Sequence, residues 1–342
     1  MTPVLTPRER ILAALQGEPT DRVPYQEVFF GHRAFAEHFG GPQDSPAAAA
    51  RYLRHSGQCS YLVGGFWWCP GGDTKVLEDG TRRYAGGHPW TMAEVEAMQE
   101  PDLAAAAASM APAIAAARAQ DLACHVFIMS SFHSASTAMG LENLCYTLCD
   151  APEVLHAYLD RIEGYNRKAL RFLAGADIDF VFIDGDCAYK NGLMVSPTAF
   201  REFWCGRTRE TVAVCRENGW PYCYHTDGKI DEVYPLLIEL GFSAAHGVEA
   251  AANDLVDIKR RFGRDLTLIG NFDIVELASR TPAQVAELTR HMLDAGTPGG
   301  RYIAACNTLP GDNIPLANML AYRDAIVEYA APGTAPARKD VA

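Results

Sequence analysis

The sequence predicts a (β/α)8 barrel, an α/β fold of one domain spanning residues 1–330. Three observations carry this expectation. Eight short β-rich runs recur along the chain, each ending in polar or glycine-containing turns. Longer stretches with helical character separate most of them. No GxGxxG follows the first run, which leaves the competing open doubly wound sheet without its phosphate-binding turn.

The runs are VPYQEVF at 23–29, CSYLVGGF at 59–66, HVFIMSSF at 125–132 and FVFIDGD at 180–186. PYCYHTD at 221–227, SAAHGVE at 243–249, LTLIGNF at 266–272 and RYIAACN at 301–307 follow. Between the second and third runs the segment 67–90 carries turn residues and an Asp-Gly pair, which predicts a hairpin excursion rather than a second domain. The alanine-rich stretch 104–119 has strong helix propensity and reads as a surface helix. Further helices are expected at PEVLHAYLDRIEGYNRKALRFLAG and PTAFREFWCGRTRETVAVCRENG. The helix at TPAQVAELTRHMLDAG has Thr281 as N-cap, Pro282 at its first position and Gly296 as its stop. Cys145 and Cys149 share one face of a helix-like stretch and read as core packing. Residues 331–342 read as a flexible tail.

Composition narrows the function. Hydrophobic residues are 49% and charged residues 21%, the profile of a folded chain rather than a disordered one. Asp and Glu number 42 against 30 Lys and Arg, a formal net charge of −12, which disfavours nucleic-acid and anionic-membrane partners. No apolar run is long enough to span a bilayer, and charges interrupt the N-terminus where a signal peptide needs an apolar core. The expectation is a cytoplasmic monomer or homodimer acting on a small molecule. Its ten cysteines include no CxxC and read as reduced thiols, with position deciding which are core, ligand or nucleophile.

In a barrel the active site lies at the C-terminal ends of the strands. Those ends carry Ser130, Ser131 and His133, then Asp184 and Asp186, then Cys223, His225 and Asp227. His246 and Glu249, Asn271 and Asp273, and Cys306 and Asn307 complete the rim. Cys223, His225 and Asp227 alternate along one strand and so share a face. With Cys306 they offer thiolate, imidazole and carboxylate donors suited to Zn²⁺, with a fourth position open. The bland alternative makes Cys223 core and His225 a hydrogen-bonding substrate contact. Asp184 and Asp186, two carboxylates two residues apart, would repel, so one could carry a raised pKa and donate a proton. Alternatively Gly185 forms a bulge that splays them. Glu249 is a ligand, a base, or the partner of Lys259, Arg260 or Arg261. His133, Asn271 and Asn307 are expected to contact substrate.

These same blocks resemble the uroporphyrinogen decarboxylase superfamily, which includes corrinoid-dependent methyltransferases. The resemblance runs through TPRERILAALQGEPTDRVP at 6–24, IDGDCAYKNGLMVSPTAFREF at 183–203 and HTDGKIDEVYPLLIELGFSAAHGVE at 225–249. It continues through LIGNFDIVELASRTPAQV at 268–285 and GGRYIAACNTLPGDNIPLANMLAYRDAI at 299–326. The family fold is a (β/α)8 barrel. True decarboxylases carry an arginine-rich motif after the first strand, where this chain has FFGHRAFAEHFGG with Arg33 alone. The methyltransferase branch binds zinc through H-x-C after strand five and a cysteine near strand eight. Here His225 matches the histidine, Asp227 replaces the first cysteine, and Cys306 lies within a residue or two of the second.

The resemblance therefore implies a zinc-dependent methyltransferase working with a corrinoid (cobalamin), with a thiol or another small molecule as acceptor. Zinc would be held by His225, Cys306 and one of Asp227, Cys223 or Glu249. No DxHxxG corrinoid-binding motif is present, so a corrinoid would come from a partner protein or be free. Two other readings stay open. One is a metal-free decarboxylase of a tetrapyrrole or small aromatic acid using Asp184 or Asp186. The other is a non-catalytic barrel that binds a corrinoid or tetrapyrrole.

Overall fold

The structure is a computed structural model that describes residues 4–28, 31–41, 44–78, 80 and 82–329. The tail expected at 331–342 and Phe29 of the first run lie outside the described residues. Seven parallel strands form one sheet: β1 (Ser60–Phe66), β2 (Ala123–Met129), β3 (Phe180–Asp184), β4 (Tyr222–Thr226), β5 (Ala244–Gly247), β6 (Thr267–Ile269) and β7 (Tyr302–Ile303). Their order in the sheet is their order in the chain, as successive strand–helix units produce.

The first expected run forms no strand of its own. Tyr25 makes a single parallel bridge to Ala304, and the Gln26 N–H and Ala304 N–H bond across to Ala304 and Pro24 carbonyls. On its other side Tyr25 accepts the Cys59 N–H. This extended segment thus touches both edges of the seven-stranded sheet, a curled arrangement compatible with a barrel. The run 59–66 ends where its strand does, and the other six are right in place but too long at their C-terminal ends. Ser130 accepts the His133 N–H as N-cap of a helix, Ser131–Met139, so the strand stops at Met129. Asp273 likewise caps the helix Ile274–Ser279 through the Val275 N–H.

Alternation sorts the strand residues into two layers. Phe127, Phe180, Phe182, Cys223, Ala244, Ile269, Ile303 and Ala305 pack together inside the sheet. Helix Pro7–Gln16 adds Ile11, Ala14 and Leu15 to that inner set. Val126, Val181, Tyr222, Tyr224, Leu268, Tyr302, Ala304 and Cys306 instead face the surrounding helices. The helix Pro152–Phe172 shows why these helices form. It begins with proline at its first position and buries Leu155, Tyr158, Leu159, Ile162 and Tyr165, a 3.6-residue stripe.

The excursion forms as expected, an antiparallel pair of Asp73–Val76 with Arg82–Gly86. Its return passes so close to helix Ser131–Met139 that a Cβ on Gly87 would lie 2.3 Å from the Met139 backbone. The alanine-rich helix spans Leu103–Arg118 and buries only Met110, Ala113 and Ala117. One helical expectation is corrected. In Leu141–Asp150 the buried positions are Leu144 and Thr147, so the opposite stripe, Cys145 and Cys149, is exposed.

At the N-terminal ends of the strands a charged knot ties three elements together. Asp179, its side chain 3% exposed, accepts from Arg8 at 2.8 Å, Arg118 at 2.5 Å and the Cys124 N–H at 2.7 Å. No helix among the described residues is long and apolar enough to cross a membrane.

Candidate functional site

The site begins with the end of β3. Gly185 continues the ladder, donating its N–H to the His225 carbonyl at 2.9 Å. A side chain there is excluded, because a Cβ would lie 2.2 Å from the Tyr224 ring, whose hydroxyl donates to the Gly185 carbonyl. The strand end is thereby fixed with Asp184 and Asp186 on either side. They are not splayed: with His133 they form a group whose ligand atoms all lie within 4.8 Å of one another.

His133 reaches Asp184 from the first turn of its helix. The start of that helix is held by Ser130 and by the buried Glu163, which accepts the Ser131 N–H and the Thr211 hydroxyl. His133 Nδ1 is 3.1 Å from Asp184 Oδ1. Burial alone would push this imidazole down, but the hydrogen bond and charge of Asp184 overcome it and raise the pKa. Burial would likewise raise Asp184, and the His133 bond and the charges of His133 and His225 hold it below the usual carboxylate range. Each group thus favours the charged form of the other, and the expectation of a raised pKa does not apply to Asp184.

The raised carboxylate is Asp227. Burial pushes it up first; His225 opposes, and repulsion from Asp186, Glu249 and Asp184 adds, to about 6. Asp186, His225 and Asp227 form a second group with ligand atoms within 4.8 Å. Asp186 Oδ1 accepts the Asp227 N–H at 3.2 Å and lies 3.9 Å from His225 Nε2. Glu249 Oε2 accepts the Gly228 N–H at 2.9 Å, which orients the turn carrying Asp227. The basic cluster expected to pair with Glu249 is engaged elsewhere: Arg261 with Asp231 and Asp257, Arg260 with Asp257, and Lys259 with the Gly300 and Arg301 carbonyls.

His225 Nδ1 faces His246 Nδ1 at 2.8 Å. His246 is fully buried, and burial together with the neighbouring His225 holds it well below the imidazole range, so it is neutral. Sequence reasoning placed His246 on the rim but gave it no role.

Neither Cys223 nor Cys306 belongs to these groups among the described residues. Cys223 lies two residues down β4 from His225, within the inner apolar layer, and burial pushes its thiol well up. Cys306 faces the helix layer, against Glu27, whose carboxylate oxygens accept the Cys306 N–H at 3.3 and 3.1 Å. Asn271 and Asn307 are both buried, and Asn307 Oδ1 accepts the Ile274 N–H.

A cavity of about 600 Å³ opens beside the carboxylates. Tyr84, Gly86 and Gly87 of the excursion form one wall, Met139–Asn143 another, and Tyr189 and Met194 a third, with His133 and Asp186 exposed to it. Its described lining contains no lysine or arginine. Sequence reasoning missed the excursion's part in this wall, since Tyr84 sits far along the chain from every strand end. It also missed Glu27, whose signal was available as an acidic residue inside an apolar β-run.

Burial raises the Glu27 carboxyl to about 7, against the lowering effect of the Cys306 N–H and Tyr322. Below its ordinary value of 4.5 Glu27 is protonated in both folded and unfolded chains. Between 4.5 and about 7 only the unfolded chain ionises it, so stability falls as pH rises through this window. The loss is about 3 kcal/mol. Urea unfolding of Glu27→Gln is expected to lack this slope. Parallel pH profiles for the two proteins would contradict the assignment.

Asp186, His225 and Asp227 offer one imidazole nitrogen and two carboxylate oxygens. Donors around one tetrahedral ion lie roughly 3.4 Å apart, so small rotations would bring these three to a common cation. The residues present therefore fit a divalent metal through nitrogen and oxygen rather than sulfur.

Comparison with known proteins places this site in context. The family model described as uroporphyrinogen decarboxylase (URO-D) matches residues 76–329. No curated protein is matched in sequence. A methyltransferase from Methanosarcina mazei superimposes with a TM-score of 0.69 at 20% identity, covering 95% of this chain and 99% of that one. A glycoside hydrolase family 5 enzyme from Prevotella bryantii reaches 0.47 at 9% identity, over 95% of this chain and 100% of its own. The 3-keto-D-glucoside 4-epimerase of E. coli reaches 0.45 at 10%, over 88% and 98%. The family match spans most of the chain and includes every residue of the two carboxylate–histidine groups, so this protein belongs to the uroporphyrinogen decarboxylase family.

Proposed function

We propose that this chain is a metal-dependent methyltransferase of that family, a single barrel over residues 1–330 that moves a methyl group between a corrinoid and a thiol or other small acceptor. The observation that carries this reading is the convergence of Asp186, His225 and Asp227, beside a cavity sized for a small molecule. These three residues would hold the metal, zinc being the ion that the methyltransferase branch of the resemblance implies. When bound, such an ion lowers the pKa of a thiol at its open position, and a corrinoid, free or on a partner protein, supplies or takes the methyl group.

The chain's own residues do the rest. Asp186 and Asp227 supply anionic charge, and Glu249 holds the turn that carries Asp227. Asp184 orients His133 at the cavity wall and favours its protonated form, which would donate a hydrogen bond to substrate. Asn271 and Asn307 shape the far rim. Tyr84, Met139, Tyr189 and Met194 give the substrate an apolar wall that excludes water.

One observation favours metal-free decarboxylation: Asp227, pushed up to about 6, can retain a proton near neutral pH. Against it, the described cavity lining offers no cation to hold a substrate with many carboxylates. Elemental analysis after metal reconstitution, with assays of methyl transfer from methylcobalamin to a thiol panel, separates the readings. About one metal per chain and chelator-sensitive thiol methylation are expected. Release of carbon dioxide from an aromatic acid by metal-free protein would favour the decarboxylase, and neither activity would leave a binding barrel.

A further inference from the structure

We propose that the face opposite the candidate site carries a binding site for a soluble oligophosphate, an anion with two or more linked phosphoryl groups. A cavity of about 800 Å³ opens on that face. Lys259, Arg260, Arg264 and Arg301 line it, and Asp294 is the one carboxylate in its described lining. Helices Leu255–Phe262 and Pro282–Gly296 lead into β6 and β7. The cavity lies between their C-terminal ends and Gly17, the C-cap of helix Pro7–Gln16. It is therefore at the N-terminal ends of the strands, whereas Asp186, His225 and Asp227 gather at the C-terminal ends. The inference is independent of the metal reading.

Four cations around one cavity stand out in a chain of net charge −12. Arg260 is answered by Asp257 at 2.5 Å. Lys259, Arg264 and Arg301 have no carboxylate partner among the described residues. Lys259 donates to the Gly300 and Arg301 carbonyls, and Arg301 to the Gln16 carbonyl at 3.4 Å. These bonds aim two of the cations and leave their charge in place. A Cβ on Gly17 would lie 2.2 Å from Arg301 Nη2, so only bare backbone admits the guanidinium there. Arg301 itself holds a left-handed φ of 47°, which a β-carbon disfavours. Basic residues often serve only to answer helix C-termini, each of which carries about half a negative charge. Two such ends and Asp294 offset roughly two of the three unpaired cations and leave an excess. Burial and the neighbouring Arg301 push the Lys259 ammonium down to about 8, consistent with cations crowded without an anion between them.

The arrangement selects the ligand. Lys259 comes from a helix, Arg264 from the segment after it, and Arg301 from the residue before β7, so the cations approach from three elements. A carboxylate offers two oxygens in one plane. A phosphoryl group offers three around an axis, and arginine forks meet it with paired hydrogen bonds. The volume is that of a small-molecule site and exceeds what a single phosphate fills. Linked phosphoryl groups match both the spread of the cations and the space.

The test uses the full-length protein at low salt and free of metal, so that a chelating phosphate has no ion to strip from the candidate site. Wild type is compared with Arg264→Gln/Arg301→Gln and with Arg51→Gln/Lys75→Gln, a control that removes two exposed cations outside the cavity. Calorimetric titration with sodium tripolyphosphate, orthophosphate and citrate measures affinity, and circular dichroism checks folding. Wild type is expected to bind about one tripolyphosphate, roughly tenfold or more tightly than orthophosphate or citrate. Removing Arg264 and Arg301 should weaken tripolyphosphate about tenfold or more, and the control should change it by less than about twofold. Arg264→Gln alone, at an exposed position with no ion pair to lose, decides the case if the double variant does not fold. No binding of tripolyphosphate, equal affinity for citrate, or equal weakening in the control overturns the inference. Cosedimentation with phosphatidylcholine vesicles containing phosphatidylinositol bisphosphate, without binding of free tripolyphosphate, would overturn it in favour of a membrane surface.

Discussion

His225→Ala is expected to fold normally and to lose its metal, with affinity reduced by more than about a hundredfold, the upper range for losing a mere outer-shell partner. Asp186→Ala and Asp227→Ala should behave alike, since each removes one donor from the same group of three. Folding should survive because Asp186 lines the cavity and none of the three belongs to the apolar inner layer. The informative controls are Cys223→Ala and Cys306→Ala. Cys223 lies among Phe182 and Ala244, its neighbours across the strands, and Cys306 packs in the layer between sheet and helices. Both should keep the metal and lose only a little stability. Loss of metal on replacing Cys306, with His225→Ala unaffected, would move the metal centre to the opposite face of the sheet.

Asp179→Ala is expected to destabilise the fold by roughly 3 kcal/mol, as breaking a buried ion pair from one side does. The carboxylate is nearly inaccessible, and its removal strands the Arg8 and Arg118 guanidiniums and the Cys124 N–H at once. Part of the loss is recovered, because Arg118 keeps Asp177 at 2.6 Å and Arg8 is half exposed. Urea midpoints at neutral pH measure the effect. A change below about 1 kcal/mol, the range of surface pairs, would show that the knot contributes no more than an exposed salt bridge.

The strand order was legible because period-2 and apolar patterns survive in short buried strands. Their C-terminal limits were not, because Ser130 and Asp273 cap helices while still looking like strand residues. His225 and Asp227 were legible as one face of one strand, and Asp186 joins them from the adjacent strand end. Cys306 shows where alignment by motif loses physical meaning. Ile303 and Ala305 point inward, so residue 306 points outward, and an offset of one residue changes the face. His246 could be read as a rim residue, but its partnership with His225 depends on the register between β4 and β5, which pairs the two directly. Tyr84 and the cavity wall depend on how an excursion folds back over the strand ends, a contact with no local signature.

The pairing of the segment around Tyr25 with Ala304 sets a schedule for biosynthesis. Glu27 and the Cys306 amide that it accepts are 279 positions apart. At elongation rates of roughly 5–20 residues per second, Glu27 waits tens of seconds on the ribosome before its partner exists. Throughout that interval it is a hydrated carboxylate of ordinary acidity. Only when the last strand arrives is it desolvated and driven to take up a proton. Completion of the sheet is thus coupled to proton uptake at one residue, and refolding of wild type near pH 6 should take up nearly one proton more than Glu27→Gln in its final, edge-joining phase.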